Sequence, residues 1–424
     1  KMSLTDRLNF SQEKLFKILS DNLLKSDGKT RNLIDCKENI LFAWDSKTKR
    51  LFTQNIKYFK DKDAGFYQEL YPTEPPVFDV HFIRLNATVT KAVLWGPNGV
   101  MVMHIPKRWG PYGGFQGEKC KILTRSTYID LQDVLLHNNE IRQVRFHPGS
   151  PQDNHLVILT SNNTLRLYQL PLSDGMGTEK SSAPEFIRTW FLGQRSTTDG
   201  KEWNLSGSKL PFLVGLGEMA VDFDFALPIV EDNEANGKKT KNENLNEIAW
   251  PAVILRGNGD ICYLATTLDP GKKSKFEGPL VMYPPADDNY GVEACSILVL
   301  DTVPNVVVVA TSSGTLYHSV MLKIDEKSVT STSSSHALYV LESVELELGL
   351  QLNDDDPSYT CPIFLHKDPI SRWKYYSFHN TGFHAVSIRF ISDIENFLEK
   401  STGDSFQTDQ HSIVEYLVCT RTNA

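Results

Sequence analysis

A chain of 424 residues with 52 acidic and 44 basic side chains carries a formal net charge of −8. That balance argues against nucleic acid as a direct ligand, because phosphate contacts need a basic surface. No apolar run reaches the ~20 residues of a membrane span, and the longest, Ile297 to Ala310, is interrupted by Asp301 and Pro304. The six cysteines, Cys36, Cys120, Cys262, Cys295, Cys361 and Cys419, form no CxxC pair, so they read as packed, reduced thiols and no metal is expected. The first residues alternate charge with apolar positions, unlike a secretory leader, and Lys1 ahead of Met2 reads as a remnant rather than a native start. The N-x-S/T triplets at Asn9, Asn86, Asn162 and Asn204 then carry no meaning.

In chain order, Leu4 to Leu24 has helical spacing, with Leu8, Leu15, Ile18, Leu19 and Leu23 near one stripe and Ser11 placed as a cap. A short N-terminal helix or arm over residues 1–30 is expected, packed on the domain that follows or reaching for a partner. From there the sequence repeats one plan. ILFAWDSKTKRLFTQ reads as a hairpin; KAVLW and VMVMHI flank Gly96-Pro97-Asn98-Gly99. Ile141 to Leu170 packs a strand, a His-Pro-Gly turn, the apolar run Val157-Ile158-Leu159, an Asn162-Asn163 turn and a further strand into one stretch. PAVILRGNGDICYLAT and PNVVVVATSSGTLYHSVML repeat the plan, and FHAVSIRFI and SIVEYLVCT return to it near the end.

Copies of this kind, starting at intervals of about 50 to 60 residues against ~40–45 for compact WD repeats, predict an all-β propeller with long inter-strand loops over residues 31–424. A propeller also accommodates a chain longer than the ~250 residues of one compact core, since each blade adds its own layer. Seven blades of about 61 residues each are expected.

Function should sit where the strand-and-turn grammar breaks. Residues 171–209 form a long polar insertion around an apolar island that includes Trp190, Phe191 and Leu192, either an outer strand of the next blade or an anchor for a partner. Residues 231–247 read as a solvated loop. The acidic clusters Asp287-Asp288 and Asp354-Asp355-Asp356 lack EF-hand spacing; they are solvated turns or docking points for a lysine-bearing partner. Gly215 to Ala220 fits a G-x-G-x-x-A outline, but strands follow where a dinucleotide site needs a helix. With no G-x-S-x-G, H-E-x-x-H or P-loop and eleven dispersed His, no enzyme activity, catalytic residue or cofactor is expected. A hydrolytic propeller would need clustered carboxylates.

The segment GPNGVMVMHIPKRWG (96–110) is similar to a signature of the nucleoporin eighty-eight family. The resemblance continues in order through HLVILTSNNTLRLYQL (155–170), EGPLVMYPPADDNYGVEACSILVL (277–300), ALYVLESVELEL (337–348), CPIFLHKDP (361–369) and GFHAVSI (382–388). It implies a seven-bladed, non-catalytic propeller on the cytoplasmic side of the nuclear pore that anchors other nucleoporins in support of mRNA and protein export. The family's C-terminal coiled-coil region, through which the resemblance implies coiled-coil assembly with two other nucleoporins, is absent from this stretch. The partners it implies are the C-terminal domain of nucleoporin ninety-eight and the tail of nucleoporin two-fourteen. The grip is expected at Trp190, Phe191 and Leu192, with Asp287, Asp288, Asp354 and Asp355 as acidic neighbours. The alternative is a vesicle-coat or ubiquitin-ligase adaptor propeller, which also binds peptides without an active site.

Overall fold

The computed structural model describes residues 13–22, 30–58, 66–109, 114–115, 120–129, 139–172, 183–193, 217–228, 248–285, 290–324, 335–348, 361–400, 406 and 408–420. Strands come in meanders, and in five of the six described ones a middle strand is buried almost throughout because it is covered on both faces. Helix α1 (Lys14–Asn22) precedes the first sheet, β1 (Ile34–Lys37), β2 (Ile40–Asp45), β3 (Arg50–Asn55) and β4 (Tyr67–Pro72). The second sheet uses β5 (Phe82–Leu85), β6 (Lys91–Gly96) and β7 (Gly99–His104). A two-strand hairpin, β8 (Arg108–Trp109) and β9 (Gly114–Phe115), follows. The chain then returns as β10 (Lys121–Thr124) to add a fifth, parallel strand beside β4, and as β11 (Ser126–Ile129) to complete the second sheet beside β7.

The third sheet is β12 (Ile141–Phe146), β13 (His155–Thr160), β14 (Thr164–Gln169) and β15 (Glu185–Phe191); the fourth is β16 (Ala220–Phe225), β17 (Trp250–Arg256), β18 (Ile261–Thr266) and β19 (Phe276–Glu277). Next, β20 (Val281–Tyr283) lies parallel to β24 at the edge of a fifth sheet made with β21 (Ala294–Val299), β22 (Val306–Thr311), β23 (Thr315–Lys323) and β24 (His336–Glu345). The last sheet is β25 (Phe364–Lys367), β26 (Lys374–His379), β27 (Gly382–Ser387) and β28 (Ile413–Cys419), with helix α2 (Ile391–Lys400) between β27 and β28.

These are the blades of an all-β propeller, six among the described residues where length suggested seven. Three of the described blades absorb more chain than a plain four-strand unit: two sheets take a fifth strand, and a helix is inserted before β28. The chain divides into two compact units, 1–146 with 152–160 and 166–188, and 147–151 with 161–165 and 189–424.

Within the first unit, β2 and β6 are buried along nearly their whole length, and Phe42, Leu51, Leu94, Met101 and Phe115 meet in one core. Helix α1 is seated by Leu15, which packs with Leu41 and Phe52, and by Asn22, whose amide donates to Asp45 Oδ2 at 2.8 Å. Neighbouring sheets are tied by side chains: Leu85 N–H donates to Asp35 Oδ2 at 2.7 Å, and Arg84 donates to the Val144 carbonyl at 3.1 Å. Asn86 is fully buried, accepting from Thr90 and Lys91 N–H and donating to the Asp153 carbonyl.

Within the second unit, Asp222 Oδ2 accepts from Ile297 N–H and the Ser296 hydroxyl, each at 3.0 Å, and Asp224 Oδ2 accepts from Val299 N–H at 2.9 Å. The two acids are two residues apart on β16, so they share a face, and they meet amides two residues apart on β21. The His-Pro-Gly turn is held from inside. Nδ1 of buried His147 accepts from Gly149 N–H, leaving Nε2 to donate to Thr266 Oγ1 at 3.0 Å. A side chain at Gly149 would strike the Trp250 indole. The G-x-G-x-x-A outline is a turn at Gly217, with φ of 67°, leading into β16; Gly215 and Leu216 lie outside the described residues.

The last strand is fixed by a buried polar chain. Glu342 on β24 accepts from Ser412 N–H at 2.8 Å and the Ser412 hydroxyl at 2.6 Å, and pairs with His318 Nδ1 at 3.0 Å. His318 Nε2 meets the fully buried Tyr375 hydroxyl at 2.7 Å. Burial alone would raise the Glu342 pKa, but the hydrogen bonds from His318 and Ser412, with the charge of His318, pull it from 4.5 down to about 2.

Asp222→Ala removes the acceptor of three donors, on Phe223, Ser296 and Ile297, and a loss of ~2–4 kcal/mol is expected in urea unfolding with an unchanged m-value. Because the Glu342 pKa is depressed on folding, its contribution is complete above pH 4.5 and is lost as pH falls toward 2. Glu342→Gln should therefore flatten the acid limb of a stability–pH curve across that window, measured against the unsubstituted chain.

Candidate protein-interaction surfaces

The island around Trp190 is strand β15, the outer strand of the blade that begins at Ile141 rather than of the next one. Trp190 is only 7% exposed and its indole N–H donates to Ser274 Oγ at 2.8 Å. Leu192 is 1% exposed; its N–H donates to the Asn163 carbonyl and its carbonyl accepts from Arg256 at 3.2 Å. Phe191 points the other way and is 48% exposed, as period-two alternation requires. Of the three expected anchors, then, two are core and one is available. Asp287, Asp288, Asp354 and Asp355 lie outside the described residues.

Two turns, one reaching from the 96–110 block and one following the 361–369 block, carry exposed apolar side chains that sequence reasoning did not single out. In the first unit the β8–β9 hairpin presents Trp109, 62% exposed, next to exposed Lys107. Its base is rigid: the Gln68 amide accepts from Phe115 N–H at 2.8 Å and donates to the Phe115 carbonyl at 3.0 Å, and Arg108 is paired with Glu38.

In the second unit the β25–β26 turn raises Ile370, 95% exposed, with half-exposed Trp373. Asp368 builds this turn, accepting from Ile370 N–H at 2.7 Å, Ser371 N–H at 2.8 Å and the Tyr376 hydroxyl at 2.7 Å. Burial acts to raise the Asp368 pKa, and those three bonds outweigh it, so the carboxyl stays below the usual range. Arg372 pairs with Glu395 on α2 at 3.1 Å and lies 5.9 Å from the Trp373 ring centre. Elsewhere in this unit Tyr283 and Tyr339 stack at 5.2 Å where β20 meets β24, both partly open to solvent.

Chemistry is not what these residues offer. His318 and Tyr375, the centre of the best connected polar cluster, are fully buried. No group of three metal-ligating side chains occurs among the described residues, and no described helix is long and apolar enough to cross a membrane. Rigid sheets carrying Trp, Ile and Arg on fixed turns define a binding scaffold of the β-propeller class.

The family model described as "Nup88: Nuclear pore component" matches residues 5–424, and the chain belongs to that family. It is a structural, non-catalytic nucleoporin module of the nuclear pore. The fold is similar to a chain of the Chaetomium thermophilum heterotrimeric Nup82 NTD–Nup159 TAIL–Nup145N APD complex, at 11% identity and a TM-score of 0.65, covering 95% of this chain and 91% of that one. It is also similar to a chain of the yeast heterotrimeric Nup82–Nup159–Nup116 nucleoporin complex, at 14% identity and a TM-score of 0.52, covering 92% and 91%. Membership in the pore family decides against the coat and ligase alternatives.

The contrast within β15 is measurable. Trp190→Ala should cost ~3–4 kcal/mol through the cavity and the lost indole bond, whereas Phe191→Ala should stay within about 0.5 kcal/mol in the same unfolding assay.

Proposed function

We propose that this propeller holds two other nucleoporins at the cytoplasmic face of the nuclear pore, and so supports export of mRNA and protein. The partners are a tail segment of the Nup159 or nucleoporin two-fourteen kind and a folded domain of the Nup145N, Nup116 or nucleoporin ninety-eight C-terminal kind. Supporting this reading, the fold match runs along nearly the whole chain to complexes whose names contain those components. The observation that carries it is the pair of clamped turns displaying Trp109 and Ile370 to solvent on an otherwise well-buried framework.

Large apolar side chains on pre-ordered turns suit protein recognition, since little ordering entropy is lost on docking. Phe191 and the acid pairs Asp287-Asp288 and Asp354-Asp355 are proposed as further contacts, the acids for a lysine-bearing partner. Trp190 and Leu192 support Phe191 from the core. A propeller of six or of seven blades offers such turns equally, so the reading does not depend on the seventh blade that length suggested.

Isothermal titration of the chain with each partner domain tests this. Ile370→Glu and Trp109→Ala should each weaken binding to one partner by about tenfold or more, with the unfolding midpoint unchanged. Charge reversal of Asp287-Asp288 or Asp354-Asp355 should weaken the lysine-bearing partner; unaltered affinity for both domains would remove those acids from the site.

A further inference from the structure

Two blades of this chain have already accepted an extra strand at the outer edge. Residues Lys121–Thr124 pair in parallel with Glu69–Pro72, and Val281–Tyr283 pair in parallel with Ala337–Tyr339. Both additions come from connections outside the meander they join, and each is only three or four residues long. A short run of main-chain hydrogen bonds on an outer edge is therefore enough, in this fold, to seat a strand.

Among the described residues, the outer edge of the last blade has no such cover. Strand β28 has β27 as its sole neighbour in the sheet, so its other edge is open to pairing among the described residues. The strand is fixed on its inner side: Val414 packs on the core, Tyr416 stacks on His384 at 4.0 Å, and Glu342 holds Ser412. From Ile413 to Tyr416 the register with β27 is regular, and a bulge at Leu417 then turns Leu417 and Val418 to solvent. Exposed, long, apolar edges are usually blunted by charged side chains, lysine above all, by proline or by a bulge. This one has no lysine or proline, and its bulge lies beyond the regular stretch Ile413–Tyr416; its exposed charge is Glu415, with Asp409, Glu345 and Glu347 exposed on adjoining segments. The sheet's Lys374 is turned onto the Tyr376 ring instead.

We propose that the β28 edge is an acceptor for an extended, basic segment of a partner protein, which adds as the fifth strand of the last blade. Its main chain pairs along Ile413–Tyr416, apolar side chains meet Leu417 and Val418, and lysine or arginine side chains meet Glu415 and Asp409. A second copy of this chain is disfavoured as occupant because it would set Glu415 near its own equivalent.

Hydrogen–deuterium exchange of the whole chain, with and without a synthetic peptide of about ten alternating Lys and Val residues, reads this directly. Protection of amides in 413–418 is expected, together with weaker binding at higher salt and no protection from the matching Glu/Val peptide. Glu415→Lys, which leaves the core untouched, should lower affinity for the Lys/Val peptide about fivefold and leave the unfolding midpoint unchanged. Binding without protection in 413–418, or binding indifferent to Glu415→Lys, overturns the proposal. So does protection of that edge in the free chain accompanied by a dimer in sedimentation.

Discussion

The first strands of two blades, β5 and β21, have amides that face away from their own sheets, and those of Leu85, Ile297 and Val299 are buried. A buried N–H without an acceptor costs about 1–3 kcal/mol, so each must be answered from outside the ladder. The chain answers with carboxylates on neighbouring end strands, Asp35 for Leu85 and Asp222 with Asp224 for Ile297 and Val299. Charge-assisted bonds of this kind are short and directional, and apolar packing alone would not fix how one sheet is set along the next. The spacing matters as much as the chemistry: acids at i and i+2 match amides at i and i+2, so one slipped residue would lose both bonds.

Once neighbouring sheets are locked in this way, the turns and outer edges need not hold the fold together. The β8–β9 hairpin and the β25–β26 turn are stiffened from beneath, by Gln68 and by Asp368, and the side chains they raise contribute nothing to a core. Ile370 and Trp109 remain exposed although either could have been polar without loss to the sheets. Their exposure is intelligible if binding, rather than folding, sets the residue at those positions.

The blade hairpins were legible in the sequence because a strand buried on both faces writes an unbroken apolar run, as VVVVAT of β22 and ILFAW of β2 do, and a turn residue must follow. The exposed or buried state of individual island residues was not. Trp190 and Phe191 are adjacent and similar, and only the pairing of β15 with β14 decides which one faces the core. Strands β10 and β20 also left no local signal, since parallel pairing with a distant strand depends on contacts that no short window contains. Helix α2 was hidden for a different reason. Phe390, Ile391 and Ile394 supply a helical apolar stripe, but it follows β27 so closely that FHAVSIRFI reads as one strand. Asp222 and Asp224 sit on a strand, VDFDF, whose alternation resembles a half-exposed edge; here the polar face is buried against a neighbour's amides.

That burial bears on how acidic residues in such a chain should be weighed. The acids on β16 are consumed internally, with both oxygens of Asp222 accepting hydrogen bonds, so they offer nothing to a ligand. Glu342 is in the same position, saturated by Ser412 and His318. Of the net charge of −8, the part available to a partner is therefore carried by carboxylates without such partners, such as exposed Glu415. An exposed carboxylate in water contributes little affinity by itself, but beside a preformed strand edge it selects which strand is admitted. Selection by charge and attachment by main-chain pairing are separable, and a propeller that anchors other proteins can use both without altering its core.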